Sequence, residues 1–315
     1  MIIAVCLLLY SLLILVAGPR LLSRLTQGGQ APRLGVAAWI SAISSVLIST
    51  AAALVAVGAQ IVAHWDHRQY LLASCVAQLR VIATGQAGAW PQIALLGLGA
   101  TAAVAIGVTA LRLANAFAGM RRKSRDYAEA VHLVGRRTSA PDVRVLDADQ
   151  PAAYCVAGRR STIVVTSAAI AALDEQQLGA VLAHERAHLA GHHPHLVASL
   201  RGLASVFPRL TLMTEGAKDV SRLLEMCADD VAARRHGREA LLNGLLAMSG
   251  AVPAGALAAA DVAVLERAQR LTGSSADRFI QAGRTAALIS AIAAISAGPV
   301  SIAALAASGA LMCGM

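Results

Sequence analysis

Two histidines and a glutamate in the middle of the chain have the types and spacing of a zinc site. The segment VLAHERAH contains the HExxH pattern, formed by His184, Glu185 and His188. Residues four apart on a helix share one face, so both imidazoles can reach a single metal ion. Glu185 lies beside them, where it can accept a proton from a water molecule on that metal. The pattern therefore predicts zinc-assisted hydrolysis with Glu185 as the general base.

A catalytic zinc ion needs a third protein ligand, and the sequence offers two schemes. In the first, a histidine follows at the HExxHxxGxxH spacing, but that position is Pro194, and His193 and His195 lie on either side of it. In the second, Glu225 on a downstream helix binds the metal, while Asp229, one turn later, orients a ligating histidine. The second scheme is favoured because the histidines miss the required position by one residue.

Three other groups of polar residues have two interpretations each. His236 either stabilises an oxyanion or is an ordinary surface histidine. Arg159 and Arg160 either contact the substrate or form a solvated turn. The histidines that follow the HExxH pattern either bind metal or form a polar helix end. The second, simpler interpretation is favoured in each case.

The elements that must position these residues follow from the local patterns. Val143 to Leu146 and Ser161 to Thr166 are predicted strands, and the second is rich in β-branched residues. Asp174 is predicted to cap the helix that carries HExxH, and Pro194 is predicted to end it. Another helix is predicted from about Val220 to Arg235, which places Glu225 and Asp229 one turn apart.

The composition indicates a membrane protein. The 315 residues are 57% hydrophobic and 14% charged, whereas soluble domains carry roughly 25% charged residues. All acidic residues except Asp66 lie between Arg112 and Arg284, so a polar domain lies inside an apolar frame. The net charge of +9 fits arginines facing lipid headgroups better than a nucleic-acid site, and no direct nucleic-acid partner is expected. The scattered cysteines form no CxxC pair, so neither a disulfide framework nor a thiolate zinc site is predicted.

Four segments are apolar enough to span the lipid bilayer, at about residues 2–18, 36–60, 91–113 and 285–315. We therefore predict an α-helical integral membrane protein with four transmembrane helices, three of them within residues 1–118 and the fourth in 285–315. Residues 119–284 are predicted to form an α+β domain between helices three and four. The uncharged run from Ala240 to Ala260 is assigned to that domain, because its glycines and proline break it into a short helix and a loop.

Basic residues predict the orientation in the membrane. Arg121, Arg122, Lys123 and Arg125 follow the third span, whereas the second loop is nearly neutral. Positive residues remain on the cytoplasmic side of a membrane. The domain is therefore expected in the cytoplasm and both termini outside, in the inner (plasma) membrane of the cell.

Three stretches of sequence resemble the gluzincin core of integral-membrane zinc peptidases: AYCVAGRRSTIVVT, LDEQQLGAVLAHERAH and EMCADDVAA. Two families share this core, the HtpX and CAAX-protease type and the BlaR/MecR antirepressor type. Three spans before the motif and one after it resemble the BlaR/MecR type. The sequence ends at Met315, inside or just beyond the fourth span, so we expect a short form that lacks the extracellular sensor domain.

The resemblance implies a zinc endopeptidase of the gluzincin type. It implies zinc at His184, His188 and Glu225, Glu185 as the base, and a cytoplasmic repressor protein, such as a winged-helix transcriptional repressor, as the substrate. A quality-control peptidase of the HtpX type and a non-catalytic zinc-binding membrane sensor are the alternatives. His193 departs from the family pattern, which often has an acid at that place.

The resemblance also implies how a substrate binds. In such peptidases, a strand before the metal-binding helix borders the cleft as a sheet edge. An edge strand has unpaired N–H and C=O groups, to which an extended peptide can add itself. Ile163, Val164 and Val165 are therefore the predicted main-chain contacts of the substrate.

Overall fold

The computed structural model describes residues 2–63, 81–83, 89–158, 161–249, 257–273 and 278–308. Arg159 and Arg160, which the sequence places in a turn, lie outside these ranges. The chain divides into two compact units. The first contains residues 1–19, 41–115 and 292–315, and the second contains residues 20–40 and 116–291.

The elements are numbered in chain order. The helices are α1 (Ile2–Thr26), α2 (Pro32–Ala63), α3 (Ala89–Val134), α4 (Ser167–Ala172), α5 (Glu175–Ala190), α6 (His193–Val206), α7 (Thr211–His236), α8 (Arg238–Ser249), α9 (Leu257–Thr272) and α10 (Arg278–Ala307). The strands are β1 (Arg136–Arg137), β2 (Val143–Leu146), β3 (Ala153–Val156) and β4 (Thr162–Thr166).

Among the described residues, three helical segments are long and apolar enough to cross a membrane: Ile3–Thr26, Pro32–Ala59 and Gln281–Leu305. Large apolar side chains on them are exposed, such as Leu13 at 61% and Val55 at 71%, which suits contact with lipid tails. The predicted span at 91–113 lies within the helix α3, and several of its side chains are outside the described part of the chain. The number of four spans therefore stays a prediction.

The ends of two apolar helices differ from the predicted ones. The helix α1 does not end near Gly18 but continues through Pro19 to Thr26. The helix α10 begins at Arg278, before the predicted position 285, and continues through Pro299. Proline removes one backbone donor, and neighbouring apolar helices accommodate the local change, so it need not end a helix of this kind.

Polar contacts join three helices within the first unit. The hydroxyl of Tyr10 on α1 donates to the carbonyl oxygen of Ile295 on α10 at 2.6 Å and lies 2.9 Å from the hydroxyl of Ser45 on α2. Gly298 packs against the Tyr10 ring, and a side chain at that position would collide with it. In an apolar environment such contacts fix how helices pack, because polar groups have few other partners.

The second unit contains a four-stranded sheet in the order β1-β2-β4-β3. The strands β2 and β4 are parallel, and β3 is antiparallel to β4. The predicted strands at Val143–Leu146 and 161–166 are confirmed, whereas β1 and β3 were not predicted. The prediction that Ile163, Val164 and Val165 form a sheet edge is wrong, because β4 is paired on both sides. Its central residues are apolar on both faces, as in an interior strand.

Alternate residues of β4 pack against two helices. Val164 faces a cluster with Ala128 and Val131 of α3. Ile163 and Val165 face a second cluster, whose members include Leu178, Leu182 and Leu189 of α5. The sheet therefore lies between α3 and α5, and its edge strand β3 runs beside the metal-binding helix.

The helix α5 begins as the sequence predicts and ends earlier. The Asp174 carboxylate accepts the backbone N–H of Gln177 at 2.7 Å, and the Gln177 side chain accepts the Asp174 N–H, which completes a capping box. The helix ends at Ala190, and His192 adopts a left-handed conformation with φ 53°. Pro194 therefore does not end α5 but lies in the first turn of α6, where its missing N–H costs nothing.

The remaining predicted elements are found with different lengths. The helix α7 begins at Thr211, well before the predicted Val220, and ends at His236. The apolar run from Ala240 starts with the short helix α8, as predicted, and the loop predicted after Ser249 lies outside the described residues. The connection between α1 and α2 packs on α7, where Arg222 donates to the carbonyl oxygen of Thr26 at 3.1 Å.

Candidate metal centre

Three potential metal ligands converge from α5 and α7. His184 and His188 lie one turn apart on α5, and Glu225 faces them from α7. The ligand atoms all lie within 4.8 Å of one another. The two Nε2 atoms are 3.1 Å apart, and the Glu225 oxygens lie 3.3 Å from His184 Nε2 and 3.5 Å from His188 Nε2.

This geometry fits a tetrahedral zinc ion. Ligand atoms at about 2.0–2.1 Å from zinc lie about 3.3 Å from each other in a tetrahedron. The two Nε2 atoms are close to that spacing, and each has a different oxygen of Glu225 at a similar distance. Two imidazoles and one carboxylate are the ligand set of many catalytic zinc sites, and they leave a fourth position for water or substrate. The histidines are buried, which holds them in position. Of the two schemes from the sequence, the geometry therefore supports the one with Glu225.

Asp229 lies beside the imidazole ring of His184. Its Oδ1 lies 3.0 Å from His184 Nδ1, which leaves Nε2 on the side of the ring that faces His188 and Glu225. Burial disfavours the charged imidazole, but the carboxylates of Asp229 and Glu225 outweigh that effect and raise the pKa of His184 to about 9 in the metal-free chain. The orienting role of Asp229 stays a prediction, and its carboxylate lies beside the ring that it would orient.

His193 supports the second imidazole rather than binding metal itself. Its Nδ1 lies 2.9 Å from His188 Nδ1, on the side of that ring opposite Glu225. Burial and the neighbouring His188 together lower the pKa of His193 to about 4, so the ring is neutral and can accept a hydrogen bond from His188 Nδ1. His193 therefore places an imidazole at the position where the family pattern often has an acidic residue.

Glu185 is placed to act as a base. It is buried at 9% exposure and lies beside the two histidines on α5. Burial raises its pKa, while the neighbouring histidines act in the opposite direction. Cys155 of β3 lines the same cavity, and burial together with the negative charge of Glu185 raises the pKa of the Cys155 thiol to about 12. The thiol is therefore protonated near neutral pH.

Arg267 on α9 is a site residue that the sequence analysis missed. Its Nε and Nη2 donate to both oxygens of Asp229, at 2.8 and 2.6 Å. Its Nη1 lies 3.5 Å from Glu225, and its Nη2 lies 3.5 Å from His184 Nε2. A fork of this kind fixes a carboxylate in both position and plane. The local signal was weak, because Arg267 is one of several charged residues in an amphipathic helix.

An open cleft of about 530 Å³ exposes the ligands to substrate. The edge strand β3 forms one side of it, through Ala153, Tyr154 and Cys155. Backbone hydrogen bonds tie β3 to β4 in the antiparallel register, and its other edge is unpaired in the described part of the chain. The strand that borders the cleft is therefore β3, not the segment from Ile163 to Val165.

The other candidate residues lie away from the metal ligands. His236 packs on Gly179, on the first turns of α5, and does not line the cleft. His195 faces away from the ligands toward a neighbouring groove. Arg186, the charged residue inside HExxH, forms a bidentate ion pair with Asp142 at 2.7 and 3.3 Å. A charge at this position is thus accommodated on the face of α5 opposite the metal.

Comparison with known proteins gives one family. The model of Peptidase family M48 matches residues 117–279, which is more than half of the chain and contains every residue of the metal centre. No curated protein and no solved structure matches the chain.

Proposed function

Because the chain belongs to Peptidase family M48, we propose that it is a membrane-embedded zinc endopeptidase that cleaves an extended segment of a cytoplasmic protein. The observation that carries the proposal is the convergence of His184, His188 and Glu225 beside the buried Glu185, at the bottom of an open cleft. Those three ligands leave one side of the metal position open to the cleft.

The chain supplies the groups for peptide hydrolysis. A zinc ion held by the three ligands supplies Lewis acidity, which polarises a carbonyl and acidifies water. Glu185 accepts the proton of the attacking water and can pass it to the leaving amine. Its raised pKa, caused mainly by burial, brings it closer to the working pH of such a base. The Arg267 guanidinium lies at the edge of the ligand cluster, where it can donate to the oxygen on which negative charge develops.

The edge strand β3 is the proposed substrate platform. An extended peptide that pairs with β3 lies along the cleft, with its backbone carbonyl groups toward the metal ligands. Recognition through the main chain suits a substrate with an unfolded or flexible segment. A compact protein cannot present such a segment without opening.

The substrate is proposed to be a transcriptional repressor of the winged-helix kind, as the span order resembles that of the BlaR/MecR type. This proposal requires a cytoplasmic domain, which the basic residues after the third span favour. Reporter fusions placed after Arg125 and after residue 308 should lie on opposite sides of the membrane. A periplasmic reporter after Arg125 would overturn both the topology and the repressor proposal.

Cleavage products in cells test the proposed substrate. Cells that express the chain are compared with cells that express Glu185→Gln, by proteomics of new protein N-termini. We expect new termini in one soluble DNA-binding protein, found only with the unaltered chain. New termini in many membrane proteins would instead support the quality-control alternative, and identical termini in both strains would contradict a peptidase function.

A further inference from the structure

The cleft continues beyond the metal centre along β3 into a second groove of about 530 Å³. Residues of β3 line the first cavity, and Ala157 and Gly158, which follow this strand, line the second. Pro194 and Ala198 of α6 border both cavities. A peptide that pairs with β3 and continues in the same direction therefore enters the second groove.

Three arginines line this path and have no side-chain partner among the described residues. Arg201 of α6 lines the metal cleft, while Arg121 and Arg125 of α3 line the second groove. All three are exposed, and within the described ranges none forms a side-chain hydrogen bond or an ion pair. Among the residues that the structure describes, the carboxylates that line the two cavities are Glu185 and Glu225, both of which belong to the metal centre. The positive charge along the path is therefore available to a ligand.

Part of the lining of the cleft is apolar. Val181 of α5 and Leu241, Leu245 and Met248 of α8 line it. The lining is thus asymmetric in chemistry, with aliphatic side chains from α5 and α8 and an exposed guanidinium group from α6. An enzyme that recognises only main-chain groups needs neither feature, so the asymmetry indicates side-chain selection.

We propose that Arg121, Arg125 and Arg201, together called the basic groove, select substrates that carry an acidic residue on one side of the cleaved bond. The inference rests on the proposed function and specifies its substrate class. Cys155 and the base Glu185 both line the metal cleft, and Gly158 lies three residues further along the chain. At about 3.3 Å per extended residue, the groove lies about 10 Å from the reacting carbonyl. The acidic residue is therefore two to four positions from the cleaved bond.

Binding to an inactive variant tests the groove without requiring cleavage. The full chain with Glu185→Gln is loaded with zinc and held in nanodiscs of zwitterionic lipid. Fluorescent nine-residue peptides carry one glutamate, moved a position at a time, and each has a matched peptide with glutamine instead. The same peptides are offered to the unaltered enzyme, and mass spectrometry identifies the cleaved bond.

We expect glutamate to bind about fivefold more tightly than glutamine at one or two neighbouring positions, since an exposed ion pair contributes at most about that factor. The preference should disappear in the triple variant Arg121→Gln, Arg125→Gln, Arg201→Gln. It should persist in the matched variant Arg122→Gln, Lys123→Gln, Arg209→Gln, which loses the same charge at exposed positions outside both cavities. High salt should also reduce it by screening.

Other results overturn the inference. Equal binding of glutamate and glutamine peptides contradicts it directly, and so does a preference that both triple variants lose alike. If the basic groove instead confers binding to anionic vesicles and no peptide preference, the arginines contact lipid and the inference is wrong. A preference in binding without cleavage by the unaltered enzyme would retain the groove but contradict the proposed peptidase function.

Discussion

The charged side chains on the two sides of the active-site cleft differ in whether they have partners. On the side formed by α5, α7 and α9, Asp229 and Arg267 form a two-point ion pair, and each histidine ligand has a polar partner. On the side formed by α3 and α6, the arginines of the basic groove have no partner in the described part of the chain. Charged side chains that are held by partners are suited to positioning a metal ion. Charged side chains without partners are suited to binding a ligand reversibly.

Removing a ligand from the fixed side should have the largest effect. Glu225→Ala takes one of three ligands from the zinc ion, and we expect zinc affinity to fall by more than 100-fold, beyond the usual effect of losing a residue that only supports a ligand. The double variant His193→Ala, His195→Ala should lose about tenfold, because only the contact between His193 and His188 is removed. Competition with a fluorescent chelator measures both affinities. Release of zinc by the double variant alone would restore the scheme with a histidine ligand.

Removing the buried arginine should have the next largest effect. Asp229 is fully buried, and Arg267→Ala leaves its charge without the guanidinium, which costs about 3–5 kcal/mol for a broken buried pair. We expect a lower thermal unfolding midpoint and weaker zinc binding. Arg267→Lys should recover part of the stability but little of kcat, since lysine cannot donate to both oxygens of Asp229. Wild-type unfolding and kinetics in Arg267→Ala would contradict the assigned role.

Prolines in neighbouring strands distinguish the substrate platform from the core. The N–H of Thr166 donates to the carbonyl of Ala152, so in the antiparallel alternation the N–H of Ala153 points away from β4. Ala153→Pro should keep the fold and zinc but lower kcat/KM by up to about tenfold, the contribution of one hydrogen bond. Val164→Pro removes a bond inside the sheet and should cost about 3 kcal/mol or more. Thermal unfolding and cleavage rates separate the two variants, and full activity of Ala153→Pro would exclude β3 as the platform.

The smallest effect is expected at the ion pair of Arg186 with Asp142, behind the metal helix. The hydrogen bond from Arg186 lowers the pKa of Asp142. A carboxyl group whose pKa is lower in the folded than in the unfolded chain stabilises the fold at pH values above its unfolded pKa of about 3.9. This stabilisation is lost as the pH falls through the pKa of the folded state. Both side chains are more than a third exposed, so Asp142→Asn should cost less than about 1 kcal/mol at pH 7. The cost should vanish at about pH 2, and an unchanged difference there would exclude the ion pair as its cause.

The sequence predicted what depends on local spacing. The pair of histidines, Glu185, the cap at Asp174 and the turn that separates Glu225 from Asp229 all lie within one helix each, where periodicity determines the face. The pairing of Arg267 with Asp229 joins positions far apart in the chain, and no local pattern encodes it. The same reason explains the wrong edge strand. The sequence of β4 is compatible with either an edge or an interior strand, and only its pairing with β2 and β3 shows that it is interior.

Pro194 shows a second limit of local patterns. A proline after a helix is read as a stop, but it is equally suited to the first turn of the next helix. The left-handed residue His192 allows α5 to end and α6 to begin within three residues. That abrupt change of direction brings His193 back to His188. Because the end of α5 was predicted at the wrong residue, the contact between His193 and this metal ligand was not predicted either.

Reconstitution with zinc tests the central claim most directly. The purified full chain is stripped of metal, titrated with zinc, and assayed on an internally quenched peptide, in parallel with Glu185→Gln. We predict that both proteins bind one zinc ion with similar affinity and that only the unaltered chain gains cleavage activity, in proportion to bound zinc. Cleavage by the metal-free chain, or equal rates for Glu185→Gln, would contradict a zinc centre with Glu185 as its base.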